Sequence, residues 1–246
     1  GPYGEMGVTV SASCKGDDGN TYYAGYYPYM YLTQDAAVFA GREPFGFPKK
    51  IAYIVTQEHG GKEDDGYGGF GNEPKFPQPS IIEFLQRFIR RRNDTRAIRM
   101  VELTLDQMAA GGIYDQLGGG FHRYSVDAHW LVPHFEKMLY DNAQLAQVYL
   151  DAYRQLGHER YATVVQQTLR WVLREMTAPE GGFYATQDAD TEGEEGLFYL
   201  WTPEEIDALL SEEDAKIAKL FWGIEPGGNF EGRTILTNRV SNEEVA

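Results

Sequence analysis

The sequence predicts a mainly α protein, a partial α/α toroid preceded by a small β-rich segment. Three observations carry this reading. Near Pro79 the apolar period changes from two residues to a helical spacing. Gly-Gly-Phe recurs at Gly68 to Phe70, Gly119 to Phe121 and Gly181 to Phe183, with one pair of helix-period segments between occurrences. Helix-start signals precede these segments, the clearest being the capping box Thr202-Pro203-Glu204-Glu205. A ring of such hairpins would set the helix starts and glycine loops around one cavity. Five predicted helices make less than half of a six-hairpin ring, and the uncovered apolar helix faces predict self-association.

The first 56 residues read as β structure. Val8, Val10, Ala12 and Cys14 alternate with Thr9, Ser11 and Ser13, and Lys15 to Asn20 is a turn cluster. Tyr22 to Leu32 and Ile51 to Thr56 read as further strands. Gln57 to Gly71 has linker composition, glycine and acid with little to pack, and divides residues 1–56 from a helical domain over 72–246.

In that domain Ile81 or Ile82, Leu85, Phe88 and Ile89 form one stripe. Ile98, Val101, Leu105 and Met108 form a second, with Asp94 or Asn93 as N-cap. Pro133 suits the first turn of a third helix, which Gly157 ends. Val165, Leu169, Val172 or Leu173, and Met176 make a fourth, and the capping box opens a fifth running through Phe221.

Composition excludes several function classes. The formal net charge of −15 argues against nucleic acid or an anionic membrane as a partner. A single cysteine, Cys14, permits no intrachain disulfide and no C-x-x-C redox pair. No apolar run is long enough to span a bilayer and no signal peptide is visible, so a cytoplasmic location is expected.

The densest chemistry lies in Gly118 to Asn142, which holds His122, His129 and His134 beside Arg123, Asp127, Glu136 and Asp141. With a helix starting at Pro133, His134 stands in its first turn, where the dipole favours neutral imidazole and keeps Glu136 ionised. His134 and Glu136, with His122 and Asp141, are the acid–base candidates for proton transfer on a sugar carbon or a glycosidic oxygen. Arg123 and the rings of Tyr124 and Trp130 would bind the sugar. Capping by His134 and Glu136 is the competing structural reading. His129 and His134 flank Pro133 and share no helix face, so no metal is expected, and no cofactor is implied. Asp188 to Gly196 alternates acids and glycine but lacks calcium-loop spacing. It reads as a hairpin tip, with Asp188 or Asp190 as an inward second carboxylate in the alternative.

Gly68-Gly69-Phe70 with Pro74 to Pro77, Gly111 to Asn142, Gln187 to Asp190 and Gly227 to Gly232 together resemble the spermatogenesis-associated protein 20 type of thioredoxin-domain-containing proteins, over about 65–240. The resemblance implies a six-hairpin toroid similar to N-acylglucosamine 2-epimerases and glycosidase-like rings, with histidine and carboxylate pairs in the cavity. It also implies a preceding thioredoxin-like domain, which residues 1–56 do not resemble, so no redox role is expected.

Residues 1–56 instead resemble acetoacetate decarboxylase, through Asp35-Ala36-Ala37 to Lys50 and through Gly1 to Gly7. That match implies Lys49 as the Schiff-base lysine, Lys50 as the neighbouring cation that lowers its pKa, and Glu5 as the site carboxylate. The two families do not normally share a chain, so a chimera is expected. Three functions stay open: a sugar epimerase, isomerase or hydrolase, a Schiff-base decarboxylase, and a non-catalytic interaction protein.

Overall fold

The computed structural model describes residues 12–15, 21–24, 66–70 and 73–238. The chain divides into two compact units, Gly1–Glu58 and His59–Ala246. In the first unit, β1 (Ala12–Lys15) and β2 (Thr21–Ala24) pair antiparallel, Ala12 opposite Ala24 and Lys15 opposite Thr21. They flank the turn cluster read in the sequence. Glu5, Lys49 and Lys50 lie outside the described residues.

The second unit is built from helical hairpins, the repeating element of an α/α toroid. Helix α1 (Pro79–Arg92) starts on a proline and buries Ile82, Leu85, Phe88 and Ile89. Asn93 ends it in a left-handed conformation. Asp94 then caps α2 (Thr95–Ala110), its carboxylate accepting from the amides of Arg96 and Ala97 at 3.0 Å each. Both sequence candidates for the cap are thus used, one to stop a helix and one to start the next.

Three short strands follow: β3 (Tyr124–Ser125), β4 (Pro133–His134) and β5 (Lys137–Met138). Helices α3 (Leu139–Leu156) and α4 (Glu159–Glu175) form the second hairpin, joined through Gly157 at φ 78°. Helix α1 packs on α3. Across the two hairpins the Tyr149 hydroxyl donates to the Leu105 carbonyl at 2.7 Å and Gln86 Nε2 to that of Val148 at 2.7 Å. Tyr161 reaches Asp106 at 2.9 Å. The buried face of α4 is Tyr161, Val164, Val165, Thr168 and Trp171. Leu169, expected inside, is 47% exposed, and of the alternatives Val172 and Leu173 it is Val172 that is partly covered while Leu173 is 67% exposed. The two large rings bury more apolar area than the leucines and set the helix rotation.

Beyond α4, β6 (Thr186–Gln187) pairs with β5, and β7 (Asp190–Thr191) pairs with β8 (Glu194–Glu195). A 3₁₀ turn (Leu197–Tyr199) leads to β9 (Leu200–Trp201). The single helix expected from Thr202 to Phe221 is two helices, α5 (Pro203–Leu209) and α6 (Glu212–Trp222). The capping box is present as read, but Ser211 starts a second helix by accepting from the Asp214 amide, and Leu210 is extended. Strand β10 (Thr234–Ile235) pairs with β9.

The Gly-Gly-Phe repeat is a repeated backbone conformation. Both glycines have positive φ in every copy: 58° and 86°, 78° and 82°, and 93° and 82°. In the middle copy a Cβ on Gly119 would stand 2.6 Å from the Gln167 carbonyl oxygen, and one on Gly120 would stand 2.9 Å from the Trp171 ring. Only glycine fits there. Among the described residues no helix is long and apolar enough to cross a membrane.

Candidate functional site

The turns within the first two hairpins are two residues long, whereas the loops between hairpins, 111–138 and 176–202, are long. Both long loops meet at one end of the helices, where β5 pairs with β6. Functional residues gather at loops positioned by a rigid frame, and this end is where the polar residues converge.

The segment from Pro133 to Met138 is extended. This corrects the helix expected to open at Pro133, and with it the dipole argument for His134: α3 begins only at Leu139. The cause lies upstream. The Asp127 carboxylate accepts from the backbone amides of His129, Leu131 and Val132 at 2.5, 3.2 and 2.5 Å, folding a tight loop. The chain then returns as β4 against β3, with His134 opposite Tyr124. Pro133, Phe135 and Lys137 are buried, while His134, Glu136 and Met138 between them are only partly covered. That is the period of a strand. Asp127→Ala is expected to leave three amides without their acceptor and to cost about 2 kcal/mol. Chemical denaturation measures it, and an unchanged midpoint would contradict this role for Asp127.

Alternation sorts the candidates onto two faces. On the outer face, His134 Nδ1 lies 2.7 Å from Glu195 Oε1 and its Nε2 3.6 Å from Glu136 Oε2. Glu136 accepts from Arg123 Nη1 at 2.9 Å and from the Thr186 hydroxyl at 3.1 Å. The Tyr124 ring stacks on His134 with centroids 5.0 Å apart. Asp141 stands in the first turn of α3. Burial pushes its carboxyl up to about 6, with Glu136 adding to the shift and Arg123 opposing it. Five of the residues singled out in the sequence, Arg123, Tyr124, His134, Glu136 and Asp141, thus form one cluster.

On the inner face the third histidine of interest, His122, is buried, with Nδ1 2.9 Å from the Phe135 carbonyl oxygen. Desolvation lowers its pKa to about 3, with the Lys137 charge reinforcing the shift, so the imidazole is neutral. Lys137, also buried, donates to Asp115 Oδ2 at 2.7 Å and to the Gly119 carbonyl at 3.0 Å. Its Nζ lies 5.2 Å from the Trp171 ring centroid and 4.9 Å from that of Tyr199. Burial alone would raise the Asp115 carboxyl, but the charge and hydrogen bond of Lys137 and the Gly118 amide outweigh it and hold the group below its usual value. His122, Lys137, Asp115, Trp171 and Tyr199 line a cleft of about 780 Å³.

Three candidates fall outside both groups. Trp130, expected as a stacking surface, is fully buried, and its indole N–H donates to the Tyr67 carbonyl at 2.9 Å. It is core because its ring fills the space beneath Gly69 and Lys75. Asp188 and Asp190, considered as inward carboxylates, are exposed, and Asp188 accepts from the Asp190 amide at 3.2 Å. Among the described residues no cluster of His, Cys, Asp and Glu could hold a metal ion.

Sequence reasoning missed Glu195, Thr186 and the Lys137–Asp115 pair as site components. It also missed Asn142, whose buried amide clamps the second Gly-Gly-Phe loop to α3. Asn142 Oδ1 accepts from the Phe121 amide at 2.6 Å, and Nδ2 donates to the Phe121 and Met138 carbonyls at 2.9 Å each. The alternation of Pro133, Phe135 and Lys137 was the available signal for Lys137.

The chain is 40% identical to spermatogenesis-associated protein 20 of Homo sapiens over 212 residues, covering 74% of the chain and 27% of the relative. The Mus musculus protein of the same name is 39% identical, with the same coverage. The chain is similar to the spermatogenesis-associated protein 20 family. It spans about a quarter of the length of the relatives it matches. Residues 1–67 match the acetoacetate decarboxylase family model, so both resemblances read in the sequence are present in one chain. Among solved structures, a sugar epimerase from a ruminal bacterium is 13% identical with a TM-score of 0.47, covering 64% of this chain and 46% of that one. Cellobiose 2-epimerase from Spirochaeta thermophila is 16% identical with a TM-score of 0.47, covering 56% and 39%. These likenesses are partial and carry nothing about the chemistry of this chain.

Proposed function

We propose that the outer cluster performs proton transfer on a carbohydrate, as a sugar epimerase or isomerase does. The observation that carries this reading is the convergence of His134, Glu136 and Asp141 beside Arg123, with the Asp141 carboxyl raised to about 6 and Glu136 ion-paired to Arg123 at 2.9 Å. A carboxyl whose proton affinity is raised toward neutrality, next to an imidazole, supports acid–base chemistry near neutral pH. Glu195 at Nδ1 fixes the ring so that Nε2 carries the lone pair. In the reading proposed, Nε2 takes the proton from the carbon next to a sugar carbonyl, and Arg123 stabilises the enolate oxygen. The protonated Asp141 returns a proton to that carbon, and water restores both groups. Tyr124 offers its ring to the apolar face of the sugar. A panel of aldoses, ketoses and disaccharides incubated with the protein tests this. An epimer or isomer of one of them is expected, and no conversion of any by folded protein would refute it.

The match of residues 1–67 to acetoacetate decarboxylase favours a second reading for that segment. Here the Lys49 amine condenses with the carbonyl of a β-keto acid and expels water. The imine accepts the electrons of the bond that releases carbon dioxide, and hydrolysis frees the lysine. Borohydride with acetoacetate is expected to leave a reduced adduct on Lys49 in wild type and none in Lys49→Ala. Absence of adduct in wild type would end this reading.

A further inference from the structure

We propose that the arginine-covered end of the α1–α2 hairpin is a docking site for an acidic segment of a partner protein. It lies at the short turn of that hairpin, whereas the His134 cluster lies in the loops beyond α2, so the inference rests on neither reading above. Arg87, Arg90, Arg91, Arg92, Arg96 and Arg99 fall within thirteen residues, and all six are exposed. The only acid in that window, Asp94, is committed to the amides that open α2. Six arginines and one aspartate give the window a charge of +5, so a chain of net −15 holds −20 outside it.

Helix energetics account for only part of this. Arg90, Arg91 and Arg92 fill the last turn of α1, where cations offset the negative end of the helix dipole. Arg96 and Arg99 do the reverse. They stand near the start of α2, whose first turn holds no acid, so their charge adds to the positive end. Six like charges at one hairpin end also repel one another. Ion pairs relieve some of that repulsion, Arg87 with Glu83 and Arg90 with Asp151 at 3.1 Å. Arg92 and Arg99 make no ion pair or side-chain hydrogen bond among the described residues. A guest bearing carboxylates relieves the rest.

The residue type and its surroundings select that guest. Every cation of the window is arginine, whose planar fork holds a carboxylate through two parallel hydrogen bonds, and lysine is absent. A single-stranded nucleic acid needs rings to stack on and a long positive track. The one aromatic of the window, Phe88, is buried, and the negative charge beyond the window repels a strand that runs past it. An anionic membrane needs apolar anchors, and among the described residues no exposed large hydrophobic side chain lies between Pro79 and Ala110. A short acidic stretch of polypeptide needs neither. One helical turn separates Arg87 from Arg91, and two packed helices lie about 8–10 Å apart, so about six extended residues cross the window. The chain's own acidic run, Asp188 to Glu195, is folded into the β7–β8 hairpin with Glu195 on His134, which leaves a different protein as the source.

Fluorescence anisotropy of the full chain with a labelled hexapeptide of alternating glutamate and aspartate tests the assignment. Saturable binding with a Kd of about 100 µM is expected at an ionic strength of about 0.03 M, weakening about tenfold at about 0.3 M. The hexapeptide of glutamine and asparagine should not bind. Arg92→Gln with Arg99→Gln is expected to weaken binding about tenfold at unchanged melting temperature. Lys216→Gln with Lys219→Gln removes the same charge from α6 and should leave the affinity unchanged. A labelled single strand of about twenty nucleotides and phosphatidylserine vesicles should each bind more weakly than the acidic peptide at the same salt. No saturable binding of the acidic peptide, equal binding of the neutral one, affinity unaffected by the double arginine substitution, or tighter binding of the strand or the vesicles would each overturn the proposal.

Discussion

Asp115→Ala is expected to destabilise the helical unit by about 3–5 kcal/mol, among the largest effects of any single substitution here. The side chains of Lys137 and Asp115 are 1% and 11% exposed, so neither ion has water to fall back on. Removing the carboxylate leaves an ammonium enclosed by Trp171, Tyr199 and the Gly119 carbonyl. The residual cation–π and carbonyl contacts offset only part of its desolvation. The carboxylate also accepts from the amides of Leu117 and Gly118 at 3.0 and 2.8 Å, which hold the loop entering the second Gly-Gly-Phe turn. A fall in melting temperature of about 10 °C should follow for a unit of this size. Replacing both partners, as in Asp115→Leu with Lys137→Met, should recover much of the loss, because no buried charge remains. An Asp115→Ala protein as stable as wild type would show that Lys137 is solvated or neutral.

His134→Asn and Asp141→Asn are each expected to lower turnover about 10²- to 10⁴-fold, the range for a lost general acid or base. Glu136→Gln should lower it less, since Gln keeps a carbonyl oxygen for Arg123 and Thr186 but cannot balance the imidazolium. The pH profile separates the roles. Asp141 titrates near 6 in the folded chain, so the activity that needs its proton should fall as pH rises past about 6. Stability gives an independent check of sign. Burial holds the folded carboxyl above its ordinary value of 3.8, so the folded chain binds the extra proton between the two. That contribution is complete at low pH and is lost as pH rises through about 6. The melting temperature of Asp141→Asn relative to wild type should therefore increase across that window. A constant difference would mean that Asp141 titrates normally.

The helical hairpins were legible because their signals are local. Apolar stripes placed α1 and α2, Asp94 and Gly157 marked ends where the structure has them, and the capping box at Thr202 is present as read. The errors arose where tertiary contacts override a local pattern. Pro133 has the properties of a helix start, yet three hydrogen bonds to Asp127 and pairing with Tyr124 make its segment a strand. Ser211 is an ordinary N-cap signal inside what read as one apolar period, and it divided that helix. The cluster was found from composition alone, since Arg123, Tyr124, His134, Glu136 and Asp141 are close in sequence. Its completion by Glu195 and Thr186 comes from a pairing some 50 to 60 residues away, which spacing does not reveal. Trp130 was misassigned because a tryptophan in a polar stretch reads as a platform until burial is known.

Proton transfer by the His134 cluster is the step on which the proposed activity depends. Incubating the protein with the sugar panel in D₂O and following the carbon next to the carbonyl by proton NMR measures that step, even when no net product accumulates. Deuterium is expected at that carbon for at least one sugar with wild type, and its loss in His134→Asn at unchanged melting temperature. Absence of exchange with every sugar, or equal exchange in wild type and His134→Asn, would contradict it.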